Sequence, residues 1–157
     1  MISESIEPKD LDKINVFRNW FKPQHKDIFY KVLSNLSKEI TYNGKTRILF
    51  IVPESAGDIF LSTALLRSIK ETYYPCDIYF SCKKQYFEIL NENPYIHKVI
   101  EYKSIMDVQL IMEGVGDWPG LFDVSIFASA STQKFSNWVN NGRGKVAFNL
   151  RRNNALT

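Results

Sequence analysis

Apolar residues recur along this chain in blocks whose period changes. The first block, Leu11, Ile14, Phe17 and Phe21, has helical spacing and is closed by Lys22-Pro23, since the residue before a proline avoids the α region. A second helical block places Ile28, Phe29, Val32, Leu33, Leu36 and Ile40 on one face. Residues 41–45 hold Asn43-Gly44, a turn signal. The period then gives way to a continuous apolar run, Ile48-Leu49-Phe50-Ile51-Val52, ended by Pro53. Such a run, rich in β-branched and aromatic residues, predicts a strand buried on both faces of a parallel sheet. A tight loop over 54–57 leads into a helix whose apolar positions are Ile59, Phe60, Ala64, Leu65 and Ile69, with Asp58 at the expected N-cap.

Beyond Tyr74-Pro75 the blocks shorten. They predict a strand over 77–82, a short helix over 84–91 stopped by Asn93-Pro94, and a strand over 98–102. A helix over 105–112, a loop over 114–120, a strand over 123–127, a helix over 132–139 ended by Asn140-Asn141-Gly142 and a strand over 145–149 complete the chain. Strands alternating with helices define an α/β class: a Rossmann-like, mostly parallel sheet flanked by helices. Residues 1–45 form a helical extension ahead of this domain, which occupies 46–157. The domain is expected to cover both sheet faces with its own helices. Phe17, Phe21, Phe29, Val32, Leu33 and Leu36 are therefore candidates for binding a partner or a second copy. The competing reading is that the helical pair covers a flank of the sheet.

Composition narrows the function classes only a little. A chain of 157 residues with 45% hydrophobic and 24% charged residues is ordinary for one globular domain. A net charge of +3 is too small to argue for nucleic acid. No apolar run is long enough to span a membrane, and no signal-peptide pattern opens the chain. Cys76 and Cys82 make no metal spacing with His25 or His97, so neither a metal nor a cofactor is expected. Reduced thiols in a cytoplasmic setting, or within a larger assembly, suit them better.

Candidate chemistry gathers where the first strand ends. Ser55, Ala56 and Gly57 are small enough to let the backbone approach a ligand closely. The loop is neither a Gly-x-Gly-x-x-Gly fingerprint nor a P-loop. Glu54 and Asp58, with no nearby lysine in sequence, argue against phosphate binding there. Asp58 lies at the carboxyl edge of the strand, where open α/β sheets bind ligands. A helix N-terminus favours its anionic form. It reads either as a helix cap or as a general base. The stretch 128–134, with Ser129 and Ser131, reaches the same edge if the strands are parallel. The basic residues Arg143, Lys145, Arg151 and Arg152 read as solvated surface.

Several of these segments, in this order, resemble the heptosyltransferase-like glycosyltransferases of family 9. The apolar strand is followed by Ser55-Ala56-Gly57-Asp58 and by a helix with Leu66-Arg67-Ser68-Ile69-Lys70. Further matches are Leu90-Asn91-Glu92-Asn93-Pro94-Tyr95-Ile96-His97-Lys98-Val99-Ile100 and Phe122-Asp123-Val124-Ser125-Ile126. Pro53-Glu54 departs from the pattern, which often has Arg or Lys there. The resemblance covers roughly residues 47 to 149 and implies the acceptor half of a two-domain (GT-B) enzyme. It implies Asp58 as the base that deprotonates an acceptor hydroxyl in inverting transfer. Ser55, Ala56, Gly57, Ser129 and Ser131 would line a cleft for a sugar or glycolipid. The donor half is expected on another chain or lost, leaving this chain inactive alone. The other expectation is a non-catalytic scaffold, for example a virion or assembly component, that reuses the domain.

Overall fold

The computed structural model describes residues 23–114 and 118–128. The calls on Phe17, Phe21, Ser129 and Ser131, on the side chain of Phe29, and on the elements over 132–139 and 145–149 fall outside them. The described chain runs α1 (Pro23–Lys38), β1 (Thr46–Ile51), α2 (Ala56–Ser62), a 3-10 turn (Thr63–Leu65) and α3 (Leu66–Thr72). It continues through β2 (Cys76–Cys82), a 3-10 segment (Lys84–Leu90), β3 (Lys98–Glu101), a 3-10 turn (Ser104–Asp107), α4 (Gln109–Glu113) and β4 (Val124–Phe127). The four strands are all parallel in the order β3-β2-β1-β4, so the fold is Rossmann-like α/β.

β1 lies inside the sheet, with Leu49 beside Tyr79 of β2 and Ser125 of β4. Its side chains divide between two cores, as a pleated strand requires. Leu49 and Ile51 join Tyr79, Ile100, Met112 and Phe122 on one face. Ile48, Phe50 and Val52 join Ile59, Leu66, Ile78, Phe80 and Leu90 on the other. All five residues from Ile48 to Val52 are at most 1% exposed.

The first face is covered in large part by α1. Tyr30, Leu33, Leu36 and Ile40 enter the core that holds Leu49 and Tyr79. For α1 this is the reading in which the helix covers the sheet, and it corrects the expectation that the domain's own helices cover both faces. Among the described residues the β3–β4 connection supplies the five-residue α4, a 3-10 turn and the segment around Trp118, and α1 completes the layer. Leu33 and Leu36, 0% and 6% exposed, are core residues and present no surface to a partner. Val32 is half-buried and Ile28 is 69% exposed, so the buried stripe is rotated away from the expected one. The end of α1 is also anchored by polar contacts. The Thr41 N–H donates to Tyr79 Oη at 2.8 Å, and Lys98 Nζ pairs with Glu39 Oε2 at 2.5 Å.

On the second face the helix after β1 departs from its expected pattern. Ile59 and Leu66 are buried and Ile69 is half-buried, whereas Phe60, Ala64 and Leu65 point outward. Positions 59, 62, 66 and 69 follow the three- and four-residue steps of one helix face; positions 60, 64 and 65 do not. The helix is interrupted where Ser62 Oγ and Thr63 Oγ1 donate to the carbonyls of Ile59 and Phe60 at 2.8 and 2.6 Å. Such local bonds compete with the helical ladder and tighten the turn into 3-10 form.

Two carboxylates fasten the amino edge of the sheet. Asp123, just before β4, takes a forked pair of bonds from Arg47, Nε to Oδ2 at 3.1 Å and Nη2 to Oδ1 at 2.9 Å. It also accepts the Arg47 N–H at 2.7 Å, and the Arg47 guanidinium lies 4.8 Å from the Tyr42 ring centroid. Burial pushes the Asp123 carboxyl up, but the bonds and charge of Arg47 prevail and hold it below the ordinary range. Asp77, the second residue of β2 and only 2% exposed, accepts from Asn43 Nδ2 at 2.7 Å, with Lys45 at 3.5 Å and His97 at 3.7 Å. Between α4 and β4, Gly114 and Gly120 have φ of +114° and +74°. A Cβ on Gly120 would lie 2.3 Å from the Glu113 carbonyl carbon. Only glycine suits that close crossing.

Two outcomes are expected. Leu33→Ala should destabilise the protein by about 2–5 kcal/mol, as for a leucine removed from a packed core. A loss near zero in urea unfolding would mean that α1 is not part of the core. The second concerns acid. Burial pushes the Asp77 carboxyl up, but the Asn43 bond and the nearby His97, Lys45 and Lys70 outweigh it and hold it below its ordinary 3.8. A carboxyl with a depressed folded value stabilises the fold above its unfolded value, and that contribution disappears as pH falls through the folded one. Stability should therefore drop as pH falls below about 4, and Asp77→Asn should flatten that limb. An unchanged acid limb in the variant would count against the role given to Asp77.

Candidate functional site

The order β3-β2-β1-β4 places a topological switch beside β1. The connection leaving β1 packs on one face through Ile59 and Leu66, while the connection entering β4 packs on the other through Ile111 and Met112. Ligands of open parallel sheets bind at such a switch, outside the carboxyl ends of the strands. The loop after β1 lies at that place. The Ala128 N–H donates to the Ile51 carbonyl at 3.0 Å, so the chain leaving β4 passes beside the same loop on its way to Ser129.

The loop itself is fixed at its base and open at its tip. Val52 and Pro53 are buried, whereas Glu54, Ser55, Ala56, Gly57 and Asp58 are exposed. The Val52 N–H donates to the Ser81 carbonyl at 2.9 Å and the Lys83 N–H to the Pro53 carbonyl at 3.4 Å. These bonds carry the pairing with β2 past the end of β1. The geometry corrects one expectation: the N-cap of α2 is Ser55, and Asp58 is the third helical residue. The two form a capping box. Asp58 Oδ2 accepts from the Ser55 N–H at 3.4 Å and from Ser55 Oγ at 3.2 Å. The Ser-x-x-Asp spacing that signals this motif is visible in the sequence. Among the described residues, Oδ1 of Asp58 takes no hydrogen bond. Ala56 and Gly57 form the first turn of α2 and bring no polar side chain, and a Cβ on Gly57 would meet open space.

No lysine lies near this loop in sequence, yet the fold brings Lys83, the residue after β2, into an ion pair with Glu54. Farther along the same edge, the residue after β3 is Tyr102, whose hydroxyl donates to Asp107 Oδ1 at 2.5 Å. Burial, then the bond and charge of Asp107, and then the charge of Glu54 push the Tyr102 phenol far above its ordinary value. It is therefore a neutral donor. Lys103 pairs with Glu101 at 2.6 Å beside it. The sequence analysis missed Lys83, Tyr102 and Asp107. The first two are each the residue that follows a strand, a position that the edge rule of open sheets marks out once the strands are delimited.

The edge thus presents an exposed carboxylate held by its neighbour serine, an acid–lysine pair and a half-buried tyrosine–aspartate pair. Such groups can bind and orient polyhydroxylated molecules, and an anchored carboxylate can accept a proton from a hydroxyl. Among the described residues no cluster of histidine, cysteine and carboxylate side chains suits a metal ion. Cys76 and Cys82 are buried free thiols, and burial pushes the Cys82 thiol up to about 11. No helix among the described residues is long and apolar enough to cross a membrane. Comparison with family models, curated proteins and solved structures finds no match to this chain.

Asp58 is exposed and bonded only within its own helix turn, so its charge contributes modestly to folding. Asp58→Asn is expected to lower stability by no more than about 1 kcal/mol, the scale of a carboxylate at an exposed helix N-terminus. A loss well beyond that in thermal unfolding would make the carboxylate a structural group.

Proposed function

We propose that this domain is the acceptor-binding side of an inverting sugar-transfer site, with Asp58 as the general base. One observation carries the reading. Asp58 stands exposed at the switch point, with one oxygen held by Ser55 and the other free of bonds among the described residues. An acceptor hydroxyl that donates to the free oxygen would lose its proton there as it attacks the anomeric carbon of a nucleotide-linked sugar. The leaving group is the nucleotide diphosphate, which departs with the bonding electrons. The Ser55 bonds orient the carboxylate, and the backbone at Ala56 and Gly57 lets a sugar ring come close. Glu54, Lys83 and Tyr102 offer hydrogen-bonding partners for further hydroxyls of a sugar or glycolipid acceptor. By the family resemblance, Ser129 and Ser131 would contribute to the acceptor wall. The nucleotide-sugar is held by a second α/β unit that faces this edge. The resemblance of residues 47–149 to heptosyltransferase-like enzymes supports the same reading.

A scaffold role has one observation in its favour. Phe60, Leu61 and Leu65, directly after the loop, are 68%, 72% and 52% exposed. Apolar side chains grouped in this way suit a protein contact.

Titration with a lipopolysaccharide-core oligosaccharide, followed by amide NMR, separates the two readings. The acceptor reading expects shifts concentrated at residues 53–58 and at Lys83. With a donor-binding chain that supports transfer, Asp58→Asn is expected to reduce turnover ~100- to 10,000-fold. No amide response at millimolar oligosaccharide, together with self-association that Phe60→Ser abolishes, would establish the scaffold role instead.

A further inference from the structure

A groove of about 620 Å³ runs between α1 and the outer edge of β3. Ile28 and Val32 of α1, Phe87 of the 3-10 segment and Val99 of β3 supply its apolar lining. None of Ser55, Ala56, Gly57 or Asp58 lines it. Its two walls belong to different layers of the fold. α1 packs into the core that holds Tyr79 and Ile100, whereas Phe87 and Val99 pack against the core that holds Phe80. The groove therefore straddles the edge of the sheet. β3 pairs only with β2, so its outer backbone has no strand partner among the described residues. An edge strand presents a row of N–H and C=O groups to whatever lies beside it.

We propose that an extended segment of a partner protein, apolar along its middle and acidic at one end, lies in this groove as a strand beside β3. The open strand edge argues for a peptide. An acyl chain would cover those backbone groups without bonding them, whereas an added strand bonds them in a ladder. The four residues of β3 span ~13 Å, enough to pair with a short strand. Side chains of a strand point alternately to the two faces. One row would meet Ile28 and Val32, the other Phe87 and Val99. The charges argue for acidic residues. Glu39 is paired with Lys98, and Glu101 with Lys103. Lys31 and Lys84 also line the groove, and neither has an ion pair among the described residues. Glu39, just after α1, pairs with the first residue of β3, so α1 runs back along the strand and Lys31 comes toward its carboxyl end. Lys84 lies at that end too, two residues past β2. The unmatched positive charge is therefore at one end of the groove, where the acidic end of the occupant belongs. A second copy's β3 would bring Lys98 and Glu101, with no surplus of acid to match it.

Because the groove excludes Asp58 and its loop, the test is independent of the sugar-acceptor reading. The probes are short fluorescent peptides of alternating valine and threonine, with glutamates at the amino or at the carboxyl end to cover both strand directions. In anisotropy titrations of the full chain, one of the two is expected to bind about tenfold more tightly than its counterpart with lysines. Lys31→Glu with Lys84→Glu is expected to reverse that preference, and both side chains are exposed, so the fold is kept. Methylating one alternate set of peptide amides is expected to abolish binding, and methylating the other set to be tolerated, since only one row of a strand's N–H groups faces its neighbour. Amide hydrogen exchange at residues 98–101 is expected to slow in the complex. No binding at millimolar peptide, no preference for glutamate, or equal tolerance of the two methylated peptides would overturn the proposal. A dimer that Val99→Lys dissociates and the peptides leave intact would assign the edge to a second copy, and would overturn it as well.

Discussion

The structure depends on the complete burial of one strand. β1 has strand neighbours on both sides and a hydrophobic core on both faces, and its residues 48–52 have almost no contact with solvent. A strand in that position must satisfy its backbone through parallel ladders and its side chains through two separate layers. Everything else in the fold follows as a means of supplying those partners. α2 and α3 return over one face, while α1 and the segment from Ser104 to Phe122 cover the other. Arg47 and Asp123 fasten the start of β1 to the start of β4, so the register of the sheet is set by charge as well as by packing.

The same constraint creates the site. Because β1 is interior, its carboxyl end opens between two neighbours at the place where the connections change faces. Backbone bonds from β2 hold the first residues of the loop, and Ser55 and Asp58 begin the next helix there. The capping role and the proposed chemical role of Asp58 are compatible, since one oxygen serves the helix while the other faces outward. A carboxylate held by a rigid strand–helix junction needs less ordering when a ligand arrives than one on a long loop.

Along the second core the chain carries more apolar residues than the core accepts. Phe60, Leu61 and Leu65 are left outside by a helix that buries only Ile59, Leu66 and part of Ile69. The Ser62–Thr63 interruption allows that choice, since it lets α2 and α3 each turn one residue row toward the sheet. The excess lies immediately beyond Asp58, on α2 and the 3-10 turn that follows it.

Much of this was legible from residues alone, and the reason lies in local physics. A short apolar run rich in β-branched and aromatic residues and closed by proline favours a buried strand, and the blocks after it repeat the strand-and-helix alternation typical of a parallel sheet. The four described strands and the strand–loop–helix order after β1 therefore follow from sequence, although the helix cap there is Ser55 where Asp58 was expected. What local pattern could not decide is which apolar face finds a partner. Leu33 and Leu36 looked available because nothing in their own segment shows how short the β3–β4 crossover is. Phe60 and Leu65 looked buried because a helix has two overlapping apolar stripes, and only the sheet selects one. Lys83 is twenty-nine positions from Glu54 and Asp123 seventy-six from Arg47, so neither pairing exists until the strands align. Periodicity and turn chemistry act over a few residues and determined the elements; burial and charge pairing act through space, and only the tertiary structure decided them.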